Sequence, residues 1–205
     1  MVKDGTARLK LVDAALALVR AKGYAATSVD ELCTRAGVTK GAFFHHFASK
    51  SDLAVAAARH WSETTGALFA GAPYHDHADP LDRVFGYLDF RKGLLKGAVP
   101  EFTCLVGTMV QEVYETGPEI RDACDASISG HAATLEADIA AAMARHGVTA
   151  PVTAASLALH TQAVLQGAFI LAKAKGGAEI AISSVDHLRR YFELLFQAPK
   201  ERKAA

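Results

Sequence analysis

Apolar residues recur three or four positions apart over most of this chain, which is the spacing of a helix that buries one face. No stretch alternates apolar and polar residues over the length of a strand. The pattern therefore predicts an all-α protein of about nine helices. Their expected bounds are roughly 7–22, 28–36, 39–46, 50–69, 80–96, 100–116, 118–146, 153–175 and 183–197.

Capping signals set the ends of the first helices. Ser28 and Glu31 have the spacing of a capping box, in which each side chain bonds the other residue's backbone N–H. Gly37 ends that helix, and Thr39 is placed to cap a very short third helix. Further along, Pro100 occupies the first position of a predicted helix, where its missing N–H costs nothing.

Two short helices joined by a glycine turn are the layout of a helix-turn-helix, whose second helix enters the major groove of DNA. In that geometry Thr39, Lys40 and Gly41 face the duplex. A threonine or lysine can bond a base edge or a phosphate, and a glycine lets the backbone approach closely. Phe43 and Phe47 lie four residues apart and are expected to point inward.

Net charge alone gives no support to DNA binding, since 22 basic residues balance 22 acidic ones. The distribution is more informative, because residues 1–50 hold eight Lys or Arg and four Asp or Glu. The first 50 residues are therefore basic and the remainder acidic. An excess of four charges is modest for a DNA-binding domain, so charge supports the interpretation without proving it.

The N-terminal region resembles the TetR family of repressors. The residues that carry the resemblance are Ala15, Gly23-Tyr24, Thr27-Ser28-Val29, Leu32, Ala36-Gly37-Val38-Thr39, Gly41, Phe43-Phe44, His46-Phe47 and Ser49-Lys50. The resemblance covers about a quarter of the chain and is dense. It implies a homodimer that binds double-stranded DNA at a palindromic operator and responds to a small-molecule effector.

Roles of single residues follow from the resemblance. It implies phosphate contacts for Thr27 and Lys50, reader positions for Thr39, Lys40 and Gly41, and a contact at the helix end for His45; we count Ser28 and Phe44 with these DNA-binding residues. The family often has tyrosine at position 44. Phenylalanine loses one phosphate hydrogen bond there, which leaves Phe44 to pack against sugar or to serve only the core.

The predicted domain organisation is a helix-turn-helix domain at 1–50, an effector-binding and dimerisation domain at 51–198, and a tail at 199–205. No run of about 18 apolar residues is present, and the N-terminus lacks a signal-peptide core. We therefore expect a cytoplasmic protein with no membrane partner. Three scattered cysteines fit reduced thiols better than disulfides.

A single reader helix covers too few base pairs for specificity, which favours a symmetric dimer. The predicted interface lies on the last two helices and comprises Leu157, Val164, Ala168, Leu171, Leu188, Phe192 and Leu195. The alternative is that these residues bury into their own core. The helices between are expected to hold the effector, and the candidate pocket residues are Trp61, Tyr87, Phe102, Cys104, Met109, His131, Gln166 and Phe169.

Other chemistries have weaker support. Cys104 near the start of a helix is a candidate electrophile or redox sensor, because helix N-terminal N–H groups favour a thiolate. An inert buried cysteine is the competing interpretation. The sequence His75-Asp76-His77 offers no fourth ligand, so we predict no metal site and no cofactor. No nucleophile elbow, phosphate loop or carboxylate pair indicates an enzyme.

Overall fold

A computed structural model describes residues 6–197, and over that range the chain forms ten α-helices and no strand. The helices are α1 (Ala7–Lys22), α2 (Val29–Ala36), α3 (Lys40–His46), α4 (Lys50–Ala70), α5 (Pro80–Gly93), α6 (Val99–Phe102), α7 (Leu105–Val113), α8 (Pro118–His146), α9 (Ala154–Lys175) and α10 (Glu179–Gln197). A short 3-10 helix occupies Pro73–Asp76. The all-α prediction is confirmed. The predicted tail at 199–205 lies outside the described residues.

Side-chain caps fix the ends of the first three helices. The Ser28 hydroxyl accepts a hydrogen bond from the Glu31 N–H, and the Glu31 carboxylate accepts one from the Ser28 N–H at 2.9 Å. Gly37 takes the left-handed conformation, with φ 65°, and ends α2. Thr39 then accepts from the Ala42 N–H at 3.1 Å and starts α3. These caps satisfy N–H groups that a helix end leaves unpaired, which is why local sequence located the boundaries well.

The helix predicted from Pro100 to about residue 116 is divided in two. Helix α6 ends at Phe102, and Cys104 has extended backbone angles, φ −80° and ψ 127°, as the N-cap of α7. The prediction of one continuous helix was wrong because apolar spacing continues through the break. Cys104 therefore lies at the start of α7, and not inside the first turns of a helix opened by Pro100.

Two compact units divide the chain. One contains residues up to Ala67 together with Thr103–Ile128, and the other contains Leu68–Phe102 together with residues from Ser129 onward. We call them the N-terminal unit and the C-terminal unit. Helices α4 and α8 contribute residues to both. This division differs from the predicted boundary at residue 50, because the start of α4 and all of α7 share the core of the helix-turn-helix.

The core of the N-terminal unit joins α1, α2, α3, α4, α7 and the first part of α8. Phe43 is fully buried and Phe47 nearly so, which seats the short α3 against α1 as the sequence predicted. Leu11, Leu32 and Met109 are buried in the same cluster. A seven-residue helix has little stability of its own, so this burial is what holds α3 in place.

The core of the C-terminal unit lies where α10 packs against α9 and α5. Leu157, Leu165 and Phe169 of α9 are buried there, as is Phe192 of α10. Within residues 6–197, α9 is the one helix long and apolar enough to cross a membrane by length and composition. Its packing against α10 accounts for that composition as a core helix of a folded domain.

Candidate functional site

Helix α3 presents its first residues to solvent. Thr39, Lys40 and Gly41 are all exposed, and so is His45 in the last turn. The Thr39 hydroxyl oxygen accepts the capping bond from Ala42 and keeps its own proton available for a second partner. The opposite side of the helix holds the buried Phe43. Burial of that one side therefore directs the predicted reader positions outward.

Lys40 is charged and exposed but has an internal partner. Its Nζ lies 2.8 Å from the Asp30 carboxylate on α2, and both side chains are largely exposed. The hydrogen bond and charge of Asp30 raise the pKa of Lys40 above its ordinary value. A phosphate or base that binds Lys40 must compete with this exposed ion pair, which is a weak competitor in water.

Gly41 and Phe44 are both exposed on α3. A Cβ built on Gly41 would meet only the Thr39 Oγ1 at 3.8 Å, an ordinary contact. Phe44 is 53% exposed, and the rest of its ring packs edge-on against the buried Phe43, at 5.1 Å between ring centroids. A glycine inside a helix costs stability, and the internal packing around Gly41 does not offset that cost.

Thr27 and Lys50 are held inside the N-terminal unit. Thr27 is buried, and its hydroxyl donates to the Gly23 carbonyl at 2.7 Å. Lys50 donates to the Tyr24 and Thr27 carbonyls at 3.1 and 3.0 Å, and its ammonium lies 4.2 Å from the centroid of the Tyr24 ring. Both side chains thus tie the turn between α1 and α2 to the start of α4. These bonds give both side chains a positioning role. A phosphate contact by Thr27 would require breaking its bond to Gly23, whereas the Lys50 ammonium keeps a third N–H for a phosphate.

Ser28 also has internal bonds, but it remains exposed. Its hydroxyl shares the capping box with Glu31, and Glu31 pairs with Lys22 as well. The hydrogen bonds from Lys22 and then Ser28 lower the pKa of Glu31 to about 2. Of the eight predicted DNA-binding residues, Ser28, Thr39, Lys40, Gly41, Phe44 and His45 are therefore exposed, while Thr27 and Lys50 are not.

Glu112 of α7 is a site residue that the sequence did not reveal. Its carboxylate accepts hydrogen bonds from the backbone N–H groups of Tyr24 and Ala25, at 2.9 and 2.7 Å. The bonds connect positions nearly ninety residues apart in the chain. No local pattern marks such a contact, because an exposed glutamate in an amphipathic helix is ordinary. Glu112 therefore holds the same turn that Lys50 and Thr27 hold.

In the C-terminal unit, a polar cluster surrounds the Tyr87 hydroxyl. His131 Nε2 lies 3.0 Å from it, Arg91 Nε donates to it at 3.1 Å, and Gln162 Nε2 at 3.4 Å. Burial, with the charge of Arg91 as a smaller cause, lowers the pKa of His131 to about 3. The Phe69 ring packs against both His131 and Tyr87.

Only part of the predicted effector pocket is found in this cluster. Tyr87 and His131 are joined, but the amide is supplied by Gln162 and not by Gln166, one turn later on the same helix face. Arg91 was missed although it follows Tyr87 by one helical turn. Phe102 and Phe169 belong to the same unit, and Phe169 is buried. Helical spacing does not separate two glutamines four residues apart, so the sequence did not single out Gln162, and an effector contact by Gln166 stays a prediction.

Three predicted pocket residues lie in the N-terminal unit. Met109 is fully buried in its core, so it has no surface for a ligand. Trp61 packs against the same core, with the Arg20 guanidinium 5.2 Å from its ring centroid. Cys104 is half-buried, and its Sγ accepts from the Gly107 N–H at 3.4 Å. Met109 is therefore corrected to a core residue, since apolar character alone predicts core and pocket equally.

The cysteines differ in environment. Cys33 and Cys124 are buried, and burial raises the pKa of Cys124 to about 12. Cys104 is half-buried and is therefore the cysteine most accessible to solvent. The neighbouring Thr103 is fully buried, and its hydroxyl oxygen has no hydrogen-bond partner within the described part of the chain.

The predicted dimer-interface residues fall into two groups. Four of them, namely Leu157, Ala168, Leu188 and Phe192, are buried in the C-terminal unit and have no surface left for a partner. Val164 and Leu195 are half-buried, and Leu171 is 44% exposed. The exposed apolar residues of α9 and α10 are instead Leu159, Ile170, Leu171, Tyr191 and Leu194. The sequence-based choice therefore fell largely on the inward faces of these two helices, because both faces are apolar.

Two family models match the chain. The model of bacterial regulatory proteins of the TetR family matches residues 11–57. The model of the C-terminal domain of LmrA/YxaF-like transcriptional regulators matches residues 80–180. The two matches fall on different parts of the chain and together cover most of it.

Individual proteins agree with these matches. The transcriptional regulator AcuR of Cereibacter sphaeroides is 29% identical over 123 residues, which are 57% of this chain and 53% of AcuR. The chain spans about half the length of AcuR and less of other curated relatives that it matches. A TetR transcriptional regulator from Chloroflexus aurantiacus is 28% identical, with a TM-score of 0.79 over 94% of this chain and 97% of that one. A cysteine mutant of the TetR-family regulator CifR, in complex with a 26-base-pair operator, has a TM-score of 0.73 and 18% identity over 88% of this chain and 94% of that one.

Proposed function

The chain belongs to the TetR family of bacterial regulatory proteins, and we propose that it is a homodimeric repressor released from a palindromic operator by a small-molecule effector. It acts in the cytoplasm, where bacterial DNA lies. The observation that carries the proposal is the exposed start of α3. Thr39, Lys40 and Gly41 are presented there with no packing role that explains Gly41.

DNA recognition is assigned to the exposed set of α2 and α3 residues. Lys40 supplies a cation, Thr39 a hydroxyl, and Gly41 a place where the backbone can approach the duplex. Phe44 offers an exposed ring for apolar contact with a sugar or a thymine methyl group. A solved structure of the CifR neighbour is in complex with operator DNA, which supports this use of the fold.

Dimerisation is assigned to the exposed apolar face of α9 and α10. Leu159 and Ile170 lie on α9, and Tyr191 and Leu194 on α10, each with more than a third of its surface exposed. A face of this kind is costly in a monomer and is typical of an interface. Two copies of the α9–α10 pair would close it as a four-helix bundle, which gives the two-fold symmetry that a palindrome needs.

Release of the operator by an effector requires a second binding site. An effector bound there must favour a conformation in which the two reader helices no longer match the spacing of successive major grooves. The Tyr87–His131 cluster is the assigned site, because it joins polar groups within an aromatic surround. Helices α4 and α8 contribute residues to both units, so continuous helical backbone can transmit a change.

Selection of bound sequences from a pool of random DNA duplexes tests the repressor proposal. We expect recovery of one inverted repeat, binding that weakens steeply with salt, and one dimer or a pair of dimers per site by analytical ultracentrifugation. The same selection with a Lys40→Ala variant is the comparison. The duplexes that this variant selects should share a less defined sequence than those selected by the wild-type protein. Recovery of no common sequence by the wild-type protein, or a monomer in solution, would contradict the proposal.

A second candidate is a repressor that senses electrophiles or oxidants through Cys104. The supporting observation is geometric, since the Cys104 Sγ sits at the N-cap of α7 and accepts the Gly107 N–H. Backbone N–H groups at a helix start stabilise a thiolate. The other two cysteines are buried, so a reagent in solution would meet Cys104 first.

Alkylation with N-ethylmaleimide tests this candidate directly. We expect mass spectrometry to find the adduct on Cys104 and operator affinity to fall, with neither effect in a Cys104→Ser variant. Loss of affinity in that variant as well would place the sensitive thiol elsewhere. Unchanged operator binding after complete modification of Cys104 would eliminate the thiol sensor while leaving the effector-released repressor intact.

A further inference from the structure

Arg91 is a half-buried cation without a carboxylate partner. Its Nε bonds the Tyr87 hydroxyl, and its guanidinium lies 4.3 Å from the centroid of the Phe69 ring. Among residues 6–197, no other hydrogen bond or ion pair involves this side chain. Stacking on Phe69 and the Tyr87 bond fix its orientation, so both Nη nitrogens are held ready for an acceptor.

The donors and acceptors around the Tyr87 hydroxyl determine which atom donates each hydrogen bond. Arg91 and Gln162 can only donate through the nitrogens that reach the Tyr87 oxygen. The single Tyr87 proton is therefore donated to His131 Nε2 at 3.0 Å. A neutral imidazole that accepts at Nε2 carries its proton on Nδ1. His131 Nδ1 is thus a donor, and it has no acceptor within the described residues.

The unused polar groups of Arg91 and His131 are consequently donors, and the acceptor of the cluster is the Gln162 Oε1. The unused donors are the two Nη nitrogens of Arg91 and the Nδ1 of His131, and both side chains pack on the Phe69 ring, at 4.3 and 4.7 Å. We propose that Arg91 and His131 bind the carboxylate group of a small effector that has an apolar body. This inference rests on the proposed function, because it names the chemistry of the effector of that repressor.

The balance of charge favours a carboxylate over a phosphate. The cluster holds one permanent positive charge, on Arg91, because burial keeps His131 neutral. One guanidinium pairs in a two-pronged geometry with one carboxylate, whereas a phosphate dianion would leave a negative charge uncompensated. Aromatic rings lie beside the guanidinium, since Phe69 stacks with Arg91 and the half-buried Phe90 packs edge-on against Phe69 at 5.2 Å between centroids. The rest of the effector is therefore expected to be a hydrocarbon chain or ring.

Isothermal titration calorimetry on the full-length protein tests this site with defined probes. The probes are propionate, hexanoate, benzoate and 3-phenylpropionate, each compared with its primary amide and with inorganic phosphate at millimolar concentration. The amides keep the shape of the acids and remove the charge. We expect at least one carboxylate to bind and its amide to bind about tenfold to a hundredfold more weakly, as for loss of a charge-assisted contact. Binding by none of the four carboxylates, equal binding of an acid and its amide, or stronger binding of phosphate would overturn the inference.

Two variants locate the contact. Arg91→Gln should weaken carboxylate binding by about the same tenfold to hundredfold. Arg145→Gln removes an exposed guanidinium of the same unit and should leave binding unchanged. Circular dichroism and operator binding of each variant show whether it folds. Should Arg91→Gln fail to fold, the comparison of acids with amides on the wild-type protein still decides the question.

The proposed function and this inference fail in different ways. A protein that recovers a palindromic operator but ignores every carboxylate retains the repressor function and loses the ligand class. A protein that binds a carboxylate through Arg91 but holds no operator keeps the site and loses the repressor. Release of operator DNA by the acid, and not by its amide, supports both.

Discussion

The carboxylate of Glu112 accepts a hydrogen bond from the backbone N–H of Tyr24 at 2.9 Å. It also accepts one from Ala25, so α7 holds the turn that leads from α1 into the helix-turn-helix. Gly23 precedes this turn with φ +93°, and a Cβ there would lie 2.6 Å from the Glu112 Oε1. The glycine therefore serves both the backbone conformation and the approach of Glu112.

Gly23→Ala should lower the free energy of unfolding by about 1 to 3 kcal/mol. The φ of Gly23 is strained for a residue with a side chain, and the Glu112 carboxylate must also move. Urea denaturation measures the loss. The control is Gly66→Ala in α4, where an added Cβ meets no atom within 4 Å and should stabilise by about 0.5 to 1 kcal/mol. Equal effects of the two substitutions would show that the turn does not constrain residue 23.

Gly41→Ala should separate stability from DNA binding. Its Cβ has room within the protein, so a helical alanine should stabilise by about 0.5 to 1 kcal/mol. The same methyl group would stand where the backbone is expected to approach the duplex, so operator affinity should fall. Urea denaturation and fluorescence anisotropy on one preparation measure both quantities. An alanine variant that binds the operator as tightly as the wild-type protein would remove Gly41 from the interface.

Lys40→Ala should weaken operator binding and lower its salt dependence. Loss of this cation from the DNA interface, where it is placed to reach both a base edge and a phosphate, reduces the slope of log affinity against log salt by up to about one unit. Asp30→Asn is the informative counterpart, because it releases Lys40 from its ion pair and should leave affinity unchanged or raise it. Binding titrations at several salt concentrations decide between these outcomes. A large fall in affinity for Asp30→Asn would mean that the ion pair itself positions the reader helix.

Local sequence predicted the fold class, the first three helices and the exposed end of α3, because caps, glycine turns and helical spacing act over a few residues. Ser28, Gly37 and Thr39 show this directly. It did not predict that Lys50 and Thr27 bond inward, since the carbonyls they reach lie in the folded turn. Nor did it predict Glu112, whose partners are far away in the chain.

The sequence also did not predict which apolar residues of α9 and α10 are buried and which are exposed. Both helices carry apolar residues on two sides, so spacing alone could not assign Phe192 to the core and Leu194 to the surface. The same ambiguity moved Met109 from a predicted pocket into the core. Tertiary packing decides such cases, and polar partners such as Arg91 and Gln162 become visible only with it.

The free energy of unfolding should decrease as the pH is lowered, because His131 takes up a proton more readily in the unfolded chain than in the folded protein. Its pKa is about 3 in the folded protein, against an ordinary value of 6.5, because of burial first and Arg91 second. A base with a lowered folded-state pKa stabilises fully above pH 6.5 and progressively loses that stability as the pH falls toward 3. The slope is about half of its full value near pH 6.5 and approaches about 1.4 kcal/mol per pH unit below about pH 5.5. Urea denaturation from pH 7 to about pH 4.5 measures it.

A matched pair of variants assigns that slope to one residue. His131→Gln removes the buried imidazole and should flatten the dependence, at the expense of stability at neutral pH. His187→Gln changes an exposed histidine of the same unit and should keep the wild-type slope. A wild-type slope that persists in His131→Gln would show that other groups cause it.

The exposed face of α9 and α10 gives the sharpest distinction between an interface and a core. Leu194 is 56% exposed, whereas Phe192, two residues earlier, is fully buried. Leu194→Glu should leave the subunit folded, convert the dimer to monomer in analytical ultracentrifugation, and greatly weaken operator binding, since one reader helix covers too few base pairs. Phe192→Ala should instead reduce the free energy of unfolding by about 3 to 5 kcal/mol through the cavity it leaves. If Leu194→Glu stays dimeric and binds the operator normally, the subunits meet elsewhere, and the apolar face of α9 and α10 requires another partner.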